Sequence, residues 1–210
     1  MANDFWVILL SGDVTLSERL RAQVKGARVV AADAGMRHAE ALGLRPECWI
    51  GDFDSAPQEL LARHADVPRI AHPADKDMTD GALAIAHALE QGARDLLLVG
   101  ALGGRSDHAL MHLMQLADLA ARGIGARASS GTEEALGLAP GDHIIDLPAS
   151  STFSIIGLDD LKDVTLNGAR WPLKGEDLSF GHSRPVSNVA EGPLTLRIGA
   201  GRGILLATVG

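Results

Sequence analysis

Apolar runs of strand length alternate with longer amphipathic segments over about the first 125 residues. The apolar runs predict strands at residues 5–10, 28–32, 49–50, 67–71 and 95–99. Apolar residues that recur every three or four positions predict helices at residues 16–24, 36–42, 59–64, 77–91 and 107–121. Strands that alternate with helices are typical of a parallel sheet covered by helices on both faces, so we predict a three-layer α/β domain.

The pattern changes after Arg127. Short apolar segments, separated by Gly, Pro, Asn and Asp, predict strands at residues 143–147, 152–156, 164–166, 194–198 and 204–209. Asn167-Gly168 indicates a hairpin turn, and the glycine-rich residues 199–203 indicate a second one. We therefore predict a smaller antiparallel sandwich or barrel, with residues 1–128 in the first domain and 129–210 in the second.

The composition excludes several classes of protein. The 210 residues carry a net charge of −8 without any basic run, which argues against nucleic-acid binding because phosphate contacts need clustered Lys and Arg. Cys48 is the single cysteine, which permits no internal disulfide and no cysteine metal cluster. The apolar run at residues 5–10 is too short for a signal peptide or a membrane span, so we expect no membrane partner and a cytoplasmic location.

Charged side chains follow the predicted strands of the first domain. In an open parallel sheet, ligands bind beyond the carboxyl ends of the strands. Carboxylates that converge there repel each other by about 4 kcal/mol at ~4 Å near a protein surface, so a fold that gathers them normally holds a cation. The residues in such positions are Asp33, Asp52, Asp54, Asp77, Asp80, Arg105 and Asp107.

Each acidic motif also has a purely structural explanation. Asp52 and Asp54 could form a turn before a helix that Ser55 caps. Asp77 could cap a helix that carries Asp80 in its first turn. The residue before this helix, Lys76, could bind a phosphate or form a surface salt bridge.

The segment Gly103-Gly104-Arg105 could bind an anion or form a plain turn. Two glycines permit close backbone approach, the following helix presents free N–H groups, and Arg105 adds a bidentate hydrogen-bond donor. The sequence contains no Gly-x-x-x-x-Gly-Lys-Ser/Thr motif, so any ATP binding would proceed without a Walker P-loop.

Three other features carry less information. His108 and His112 are spaced like zinc ligands on a helix, but Ala109 stands where a metalloprotease carries glutamate, so we predict no zinc site. Ser187-Asn188 is predicted to lie in a loop. Trp171 could join the core or offer a stacking surface, and we expect the core position.

Five motifs together resemble the thiamine pyrophosphokinase family in their order and spacing. They are Ala32-Asp33-Ala34-Gly35, Gly51-Asp52-Phe53-Asp54-Ser55, Lys76-Asp77-Met78-Thr79-Asp80, Gly104-Arg105-Ser106-Asp107-His108 and Ser187-Asn188. The resemblance implies an α/β catalytic domain that binds ATP and Mg²⁺, a β-sandwich domain that binds thiamine, and a homodimer. It also implies the transfer of diphosphate from ATP to the hydroxyl of thiamine, which yields thiamine diphosphate and AMP.

The resemblance further implies roles for individual residues. The carboxylates expected to hold Mg²⁺ are Asp52, Asp54 and Asp80. Two other acids are expected at the reaction centre, where either could accept the hydroxyl proton: Asp77 and Asp107. The residues expected on the nucleotide side are Asp33, Lys76, Gly104 and Arg105. The residues expected to contact thiamine, in the cleft of the partner subunit, are Ser187 and Asn188.

The chain departs from the family pattern at two places. Ala34 stands where the family usually has a second glycine. Some members carry an aromatic residue near the C-terminus that stacks on thiamine, whereas residues 205–209 contain none. Trp171 is therefore our candidate for the stacking residue.

Two other functions stay open at the level of the sequence. Asp52-Phe53-Asp54 could serve a Mg²⁺-dependent nucleotide-sugar transferase, since such enzymes also use a short D-x-D element. A chain with the same domains could also be a sensor that binds thiamine or a nucleotide without turnover. The release of AMP would distinguish diphosphate transfer from both.

Overall fold

Five parallel strands form the sheet of the first half of the chain. In the computed structural model, which describes residues 4–53, 57–73 and 77–209, these strands have the spatial order β5-β1-β2-β3-β4. They are β1 (Phe5–Leu9), β2 (Arg28–Ala32), β3 (Cys48–Gly51), β4 (Arg69–Ala71) and β5 (Asp95–Val99). From their second residue onward β1, β2 and β5 are buried throughout, which explains why they are continuous apolar runs.

Helices connect these strands, as predicted. They are α1 (Glu18–Gln23), α2 (His38–Leu42), α3 (Gln58–Arg63), α4 (Asp80–Glu90) and α5 (Ser106–Ala121), with a 3-10 turn at Asp33–Arg37 before α2. Among the described helices, none combines the length and the apolar character that crossing a membrane requires.

Both faces of the parallel sheet are covered. Val7 of β1 packs in one apolar cluster with Leu20 of α1 and Ala39 of α2. Its neighbour Trp6 points to the opposite face, where its ring meets His87 of α4 edge-on. Successive side chains of a strand point to opposite faces, so these contacts place helices on both sides and confirm the three-layer prediction.

The predicted start of α4 is wrong by three residues. The N-cap is Thr79, whose hydroxyl oxygen accepts a hydrogen bond from the Ala82 N–H at 3.2 Å. Asp77 lies in an exposed turn ahead of the helix, and Asp80 is the first helical residue. Threonine and aspartate both cap helices well, so the choice between them depends on where the chain enters the helix.

Antiparallel strands form the second half of the chain and confirm the predicted change of class. After β6 (Gly125–Ser129), the antiparallel strands are β7 (Glu133–Leu138), β8 (Gly141–Ile145), β9 (Thr152–Gly157), β10 (Leu161–Ala169), β11 (Leu173–Leu178), β12 (Asn188–Ile198) and β13 (Gly203–Thr208). One ladder joins β7, β13, β9 and the start of β12. A second ladder joins β8, the rest of β12, β10 and β11. The two ladders enclose an aliphatic core around Phe153, as expected for a sandwich.

Compact packing divides the chain into two units within α5 and β6. The first unit contains Met1–Ala109 and Ala128–Gly131, and the second contains Leu110–Arg127 and Thr132–Gly210. The exchange of these short segments reflects spatial packing, which a single cut in the sequence cannot describe.

Both predicted hairpin turns in the second unit are wrong. Asn167-Gly168 lies inside β10 at a register shift, where Gly168 has a φ of 80° and a Cβ would collide with the Pro193 carbonyl. Asn167-Gly168 thus forms a bulge at a close backbone approach. Residues 199–203 connect β12 to β13, which both pair with β9 but form no ladder with each other in the described structure, so the segment is not a hairpin turn.

Cys48 offers a test of the packing in the first unit. Its side chain is buried, its Sγ lies 3.5 Å from His87 Nε2, and burial raises the pKa of the thiol to about 11. Because the thiolate is the nucleophile, iodoacetamide at pH 8 is expected to leave the folded protein unlabelled and to label the urea-unfolded protein readily. Mass spectrometry measures both, and labelling of the folded chain at the unfolded rate would contradict this packing.

Candidate active site

Two predicted acids lie side by side at the carboxyl edge of the parallel sheet. Ala32 pairs with Ile50, so Asp33 and Asp52 follow the ends of neighbouring strands. A Cβ on Gly51 would lie 3.5 Å from Asp33 Cα, and the Trp49 indole N–H donates to the Asp33 carbonyl at 2.8 Å. The side chains of Asp33 and Asp52 are half-buried, so both acids are held on a defined backbone near solvent.

Backbone strain concentrates in the predicted motifs. Within the described residues, positive φ angles at non-glycine positions occur at Asp33, Phe53, Ser150, Asp163 and Ser187. Such conformations cost about 1–3 kcal/mol each and accumulate at functional sites. Three of the five fall in the motifs singled out from the sequence, which supports a functional reason for them.

The structure describes only some of the remaining acids that are predicted to bind Mg²⁺. Asp54 and Lys76 lie outside the described residues. Asp80 stands at the N-terminus of α4, which packs on β1, β2 and β3. Since Thr79 caps the helix, capping does not account for Asp77, and the structural explanation offered for it above is wrong.

The described acids offer carboxylate oxygens, which are the type of ligand that Mg²⁺ prefers. Across the described part of the chain, no group of three or more His, Cys, Asp or Glu residues is placed to hold a metal ion. Mg²⁺ differs from metals that are held only by protein ligands, because it binds one or two carboxylates and completes its coordination shell with water and substrate phosphates. The carboxylates of Asp52 and Asp80 match that preference. His112, one of the two zinc-spaced histidines, is buried and bonded through Nδ1 to Gln115.

The strand order of the parallel sheet reverses between β1 and β5, and a ligand crevice is expected at such a switch point. The loops after these strands touch through glycine backbone: the Gly12 N–H donates to the Gly100 carbonyl at 2.9 Å. A Cβ on either glycine would overlap a carbonyl oxygen of the other loop. Gly12 was not predicted as a site residue, although a glycine shortly after the first strand was an available signal.

Arg37 and His38 hold the β1 loop in place. The Arg37 guanidinium donates to the carbonyls of Ser11 at 2.6 Å and Gly12 at 3.3 Å, and lies 3.7 Å from the Asp13 carboxylate. His38 Nε2 lies 2.9 Å from the Gly12 carbonyl, and burial lowers the pKa of this imidazole. The neutral tautomer with a proton on Nε2 can donate this bond. No local sequence pattern reveals these contacts.

Arg105 and Asp107 form an exposed ion pair after β5. The guanidinium contacts the two carboxylate oxygens at 2.7 and 3.2 Å, and this partner lowers the pKa of Asp107 to about 2. Gly104 has a φ of 68°, and a Cβ there would lie 3.8 Å from Gly12 Cα. Arg105 is thus presented beside the β1 loop, where an anion would compete with Asp107 for it.

The second unit places the predicted thiamine residues together. Trp171 is 57% exposed, so the expected core position is wrong. It lines a pocket of about 320 Å³ with Pro172, Leu173, Arg184, Pro185 and Asn188. Asn188 begins β12 and is buried, so the loop predicted for Ser187-Asn188 ends before Asn188, whereas Ser187 is exposed with a φ of 60°.

Comparisons with known proteins agree with this architecture. The curated thiamine pyrophosphokinase of Bacillus subtilis (strain 168) is 29% identical over 150 residues, which is 70% of each chain. The crystal structure of thiamine pyrophosphokinase from Bacillus subtilis matches with a TM-score of 0.87 at 24% identity, covering 98% of this chain and 99% of that one. The thiamin pyrophosphokinase of Geobacillus thermodenitrificans matches with a TM-score of 0.79 at 25% identity, covering 98% and 97%.

Family sequence models match both units. The model described as "Thiamin pyrophosphokinase, catalytic domain" matches residues 22–126, which is half of the chain and contains the acidic edge of the sheet. The model described as "Thiamin pyrophosphokinase, vitamin B1 binding domain" matches residues 142–205, which contain the Trp171 pocket. These two successive domain matches show that the chain belongs to the thiamine pyrophosphokinase family.

Proposed function

We propose that this chain is a thiamine diphosphokinase that transfers diphosphate from ATP to the hydroxyl of thiamine and releases AMP. The observation that carries the proposal is the juxtaposition of Asp33 and Asp52 on adjoining strand ends, within the segment that matches the family's catalytic domain. The loops after β1 and β5 meet at the switch point of the sheet, which is the place where α/β sheets bind nucleotides. The sugar-transferase alternative has no comparable support.

The nucleotide is proposed to bind along the edge from β5 to β3. Arg105 would donate to phosphate oxygens, and the backbone of Gly104 permits close approach because it carries no Cβ. Asp33 and Lys76 complete the proposed nucleotide side. The β1 loop lies between Arg105 and Asp33 in the strand order β5-β1-β2, which explains why its position is held by Arg37 and His38.

Asp52, Asp54 and Asp80 are proposed to hold Mg²⁺. When bound, Mg²⁺ neutralises developing negative charge on the transferred phosphates. Asp52 would orient the phosphate chain from the end of β3 and Asp80 from the start of α4, with Asp54 as the third proposed donor. Half-burial of Asp52 and Asp80 limits competition from bulk water at these donors.

Thiamine is proposed to bind at the Trp171 pocket with Ser187 nearby. Its rings are flat and one of them is cationic, and a cation over an indole face is stabilised by about 0.5–2 kcal/mol. The indole of Trp171 is largely exposed, and the Arg170 guanidinium lies over its ring, 5.6 Å from the centroid, so the other face is the one proposed for thiamine. The Arg184 guanidinium at the pocket is paired with Glu176 at 2.7 Å, so its charge is compensated and opposes a cationic ligand less.

The proposed reaction breaks one phosphoanhydride bond and forms one phosphoester bond. The thiamine hydroxyl oxygen attacks the β-phosphorus, AMP leaves with the electron pair of the broken P–O bond, and a carboxylate accepts the hydroxyl proton. Asp77 and Asp107 are the two candidates for this acceptor. We propose Asp77, whose side chain is exposed just ahead of α4.

Incubation with ATP, Mg²⁺ and thiamine is expected to produce thiamine diphosphate and AMP in equal amounts, measured by chromatography. Formation of ADP would contradict diphosphate transfer, and binding of both ligands without product would favour the sensor.

In the same assay, Asp77→Asn is expected to lower kcat by about 10²–10⁴-fold. An unchanged kcat would remove Asp77 from this role.

Three further properties are proposed from family membership. Residues 1–128 would form the catalytic domain and residues 129–210 the thiamine-binding domain. The active form would be a homodimer in which the segment that carries Ser187 faces the partner's cleft, and light scattering of the purified protein would measure its mass. The cytoplasmic location and the lack of nucleic-acid and membrane partners stay predictions.

A further inference from the structure

The backbone of Trp171 is held by a side chain instead of a neighbouring strand. Trp171 lies between β10 and β11, where the chain turns. Its N–H donates to Asn188 Oδ1 at 3.1 Å, and its carbonyl accepts from Asn188 Nδ2 at 2.7 Å. A single amide thus satisfies both polar groups of the Trp171 backbone, as a paired strand would.

The amide of Asn188 has little capacity left for a ligand. Its Oδ1 also accepts the Val189 N–H at 2.8 Å, so both acceptor positions are used. One of its two N–H donors is used by Trp171. Asn188 is only 4% exposed, so the side chain points into the protein. These contacts disagree with the thiamine contact expected from the sequence.

The indole that this amide supports is the exposed wall of the pocket. Trp171 is 57% exposed and the Arg170 guanidinium lies 5.6 Å from its ring centroid, so packing constrains the ring weakly and its direction depends largely on its backbone. On the other side, Asn188 directly follows Ser187, whose N–H donates to Ser154 Oγ at 3.0 Å. Asn188 therefore ties together the two segments that present Trp171 and Ser187.

We infer that Asn188 is a positioning residue that orients Trp171 for thiamine binding and does not itself bind thiamine. The inference rests on the proposed function for its substrate. Loss of the amide leaves the Trp171 N–H and carbonyl without their partner and allows the indole to turn away from the pocket. The affinity for thiamine then falls while the affinity for ATP is retained.

A double-mutant cycle tests this role. At pH 8, Asn188→Ala is expected to raise KM for thiamine roughly tenfold and to leave KM for ATP unchanged. Asn188→Asp, which keeps the acceptor and removes the donor to the Trp171 carbonyl, is expected to change KM in the same direction. In a Trp171→Ala background, the Asn188→Ala change is expected to have no further effect on KM for thiamine. Effects that multiply in the double variant would show a direct contact and overturn the inference.

Tryptophan fluorescence tests the same contact without catalysis. Trp6 and Trp49 are fully buried, so acrylamide quenching reports mainly on Trp171, and Trp171→Phe gives the background. Asn188→Ala and Asn188→Asp are expected to lower the anisotropy of Trp171 and to increase its quenching. The control is Asn167→Ala, which removes an exposed amide bonded to Thr195 in the same unit. If both Asn188 variants match wild type, the inference is wrong, whereas a wild-type protein without product would refute only the proposed function.

Discussion

Asp80→Asn is expected to lower kcat for thiamine diphosphate formation by about 10³-fold. Asparagine has the shape of aspartate without its charge, so the variant would lose one of the proposed Mg²⁺ donors. A bound metal contributes several kcal/mol of charge stabilisation in the transition state, and about 4 kcal/mol corresponds to this factor. Asp52→Asn is expected to behave in the same way. Initial rates with saturating ATP and thiamine, over a series of Mg²⁺ concentrations, measure the effect.

The fold should survive the exchange of Asp80. The hydroxyl of Thr79 still caps α4, and a carboxylate in the first turn of a helix contributes only about 0.3–1 kcal/mol. Asp66→Asn is the matched control, because Asp66 precedes β4 at the opposite edge of the sheet and forms an exposed salt bridge with Arg45. That pair contributes at most about 1 kcal/mol, so normal turnover is expected. Turnover of Asp80→Asn at the control's rate would remove Asp80 from the metal site.

Gly100→Ala is expected to cost about 2–4 kcal/mol in free energy of unfolding and to raise KM for ATP. Two terms add up: the left-handed φ of 77° disfavours alanine, and its Cβ would overlap the Leu10 carbonyl. The loops after β1 and β5 would have to separate, which displaces Gly12 and the neighbouring Gly104 from the nucleotide side. Urea unfolding and ATP-dependent initial rates measure both effects.

Gly26→Ala separates the cost of the left-handed backbone from the cost of the steric overlap. Gly26 has almost the same φ, 74°, but no atom lies within 4 Å of an added Cβ. This control is expected to lose about 1 kcal/mol from the backbone term alone and to keep its KM for ATP. If both alanine variants lost equal stability and kept equal KM values, close approach of the two loops would have no functional importance.

Much of the parallel sheet was predictable because its signal is local. A strand buried on both faces needs an uninterrupted apolar run, and β2 and β5 lie where such runs predicted them. The acids at the strand ends followed from the same pattern, since Asp33 and Asp52 directly succeed their strands. In the second unit β6, β7 and β11 were missed, because short strands of mixed polarity resemble the loops around them.

The candidate site was only partly predictable because its supports connect residues far apart in the sequence. Arg37 binds the carbonyls of Ser11 and Gly12, and Asn188 binds the backbone of Trp171 across 17 residues. Such contacts leave no periodic pattern, since a side chain can reach any backbone group that the fold brings near. The N-cap of α4 was predicted wrongly for the same reason. Thr79 and Asp77 lie two positions apart and are both good N-cap residues, so the local sequence does not decide between them.

The order of hydrophobic and polar residues was sufficient to establish two classes of domain, the strands of a parallel sheet and a row of carboxylates at strand ends. These depend on burial and periodicity, which act over a few residues. Only the folded chain decided that β1 lies between β5 and β2, that Gly12 meets Gly100, and that Asn188 supports Trp171 from inside. These depend on strand order and on hydrogen bonds between distant segments, which exist only once the chain has packed.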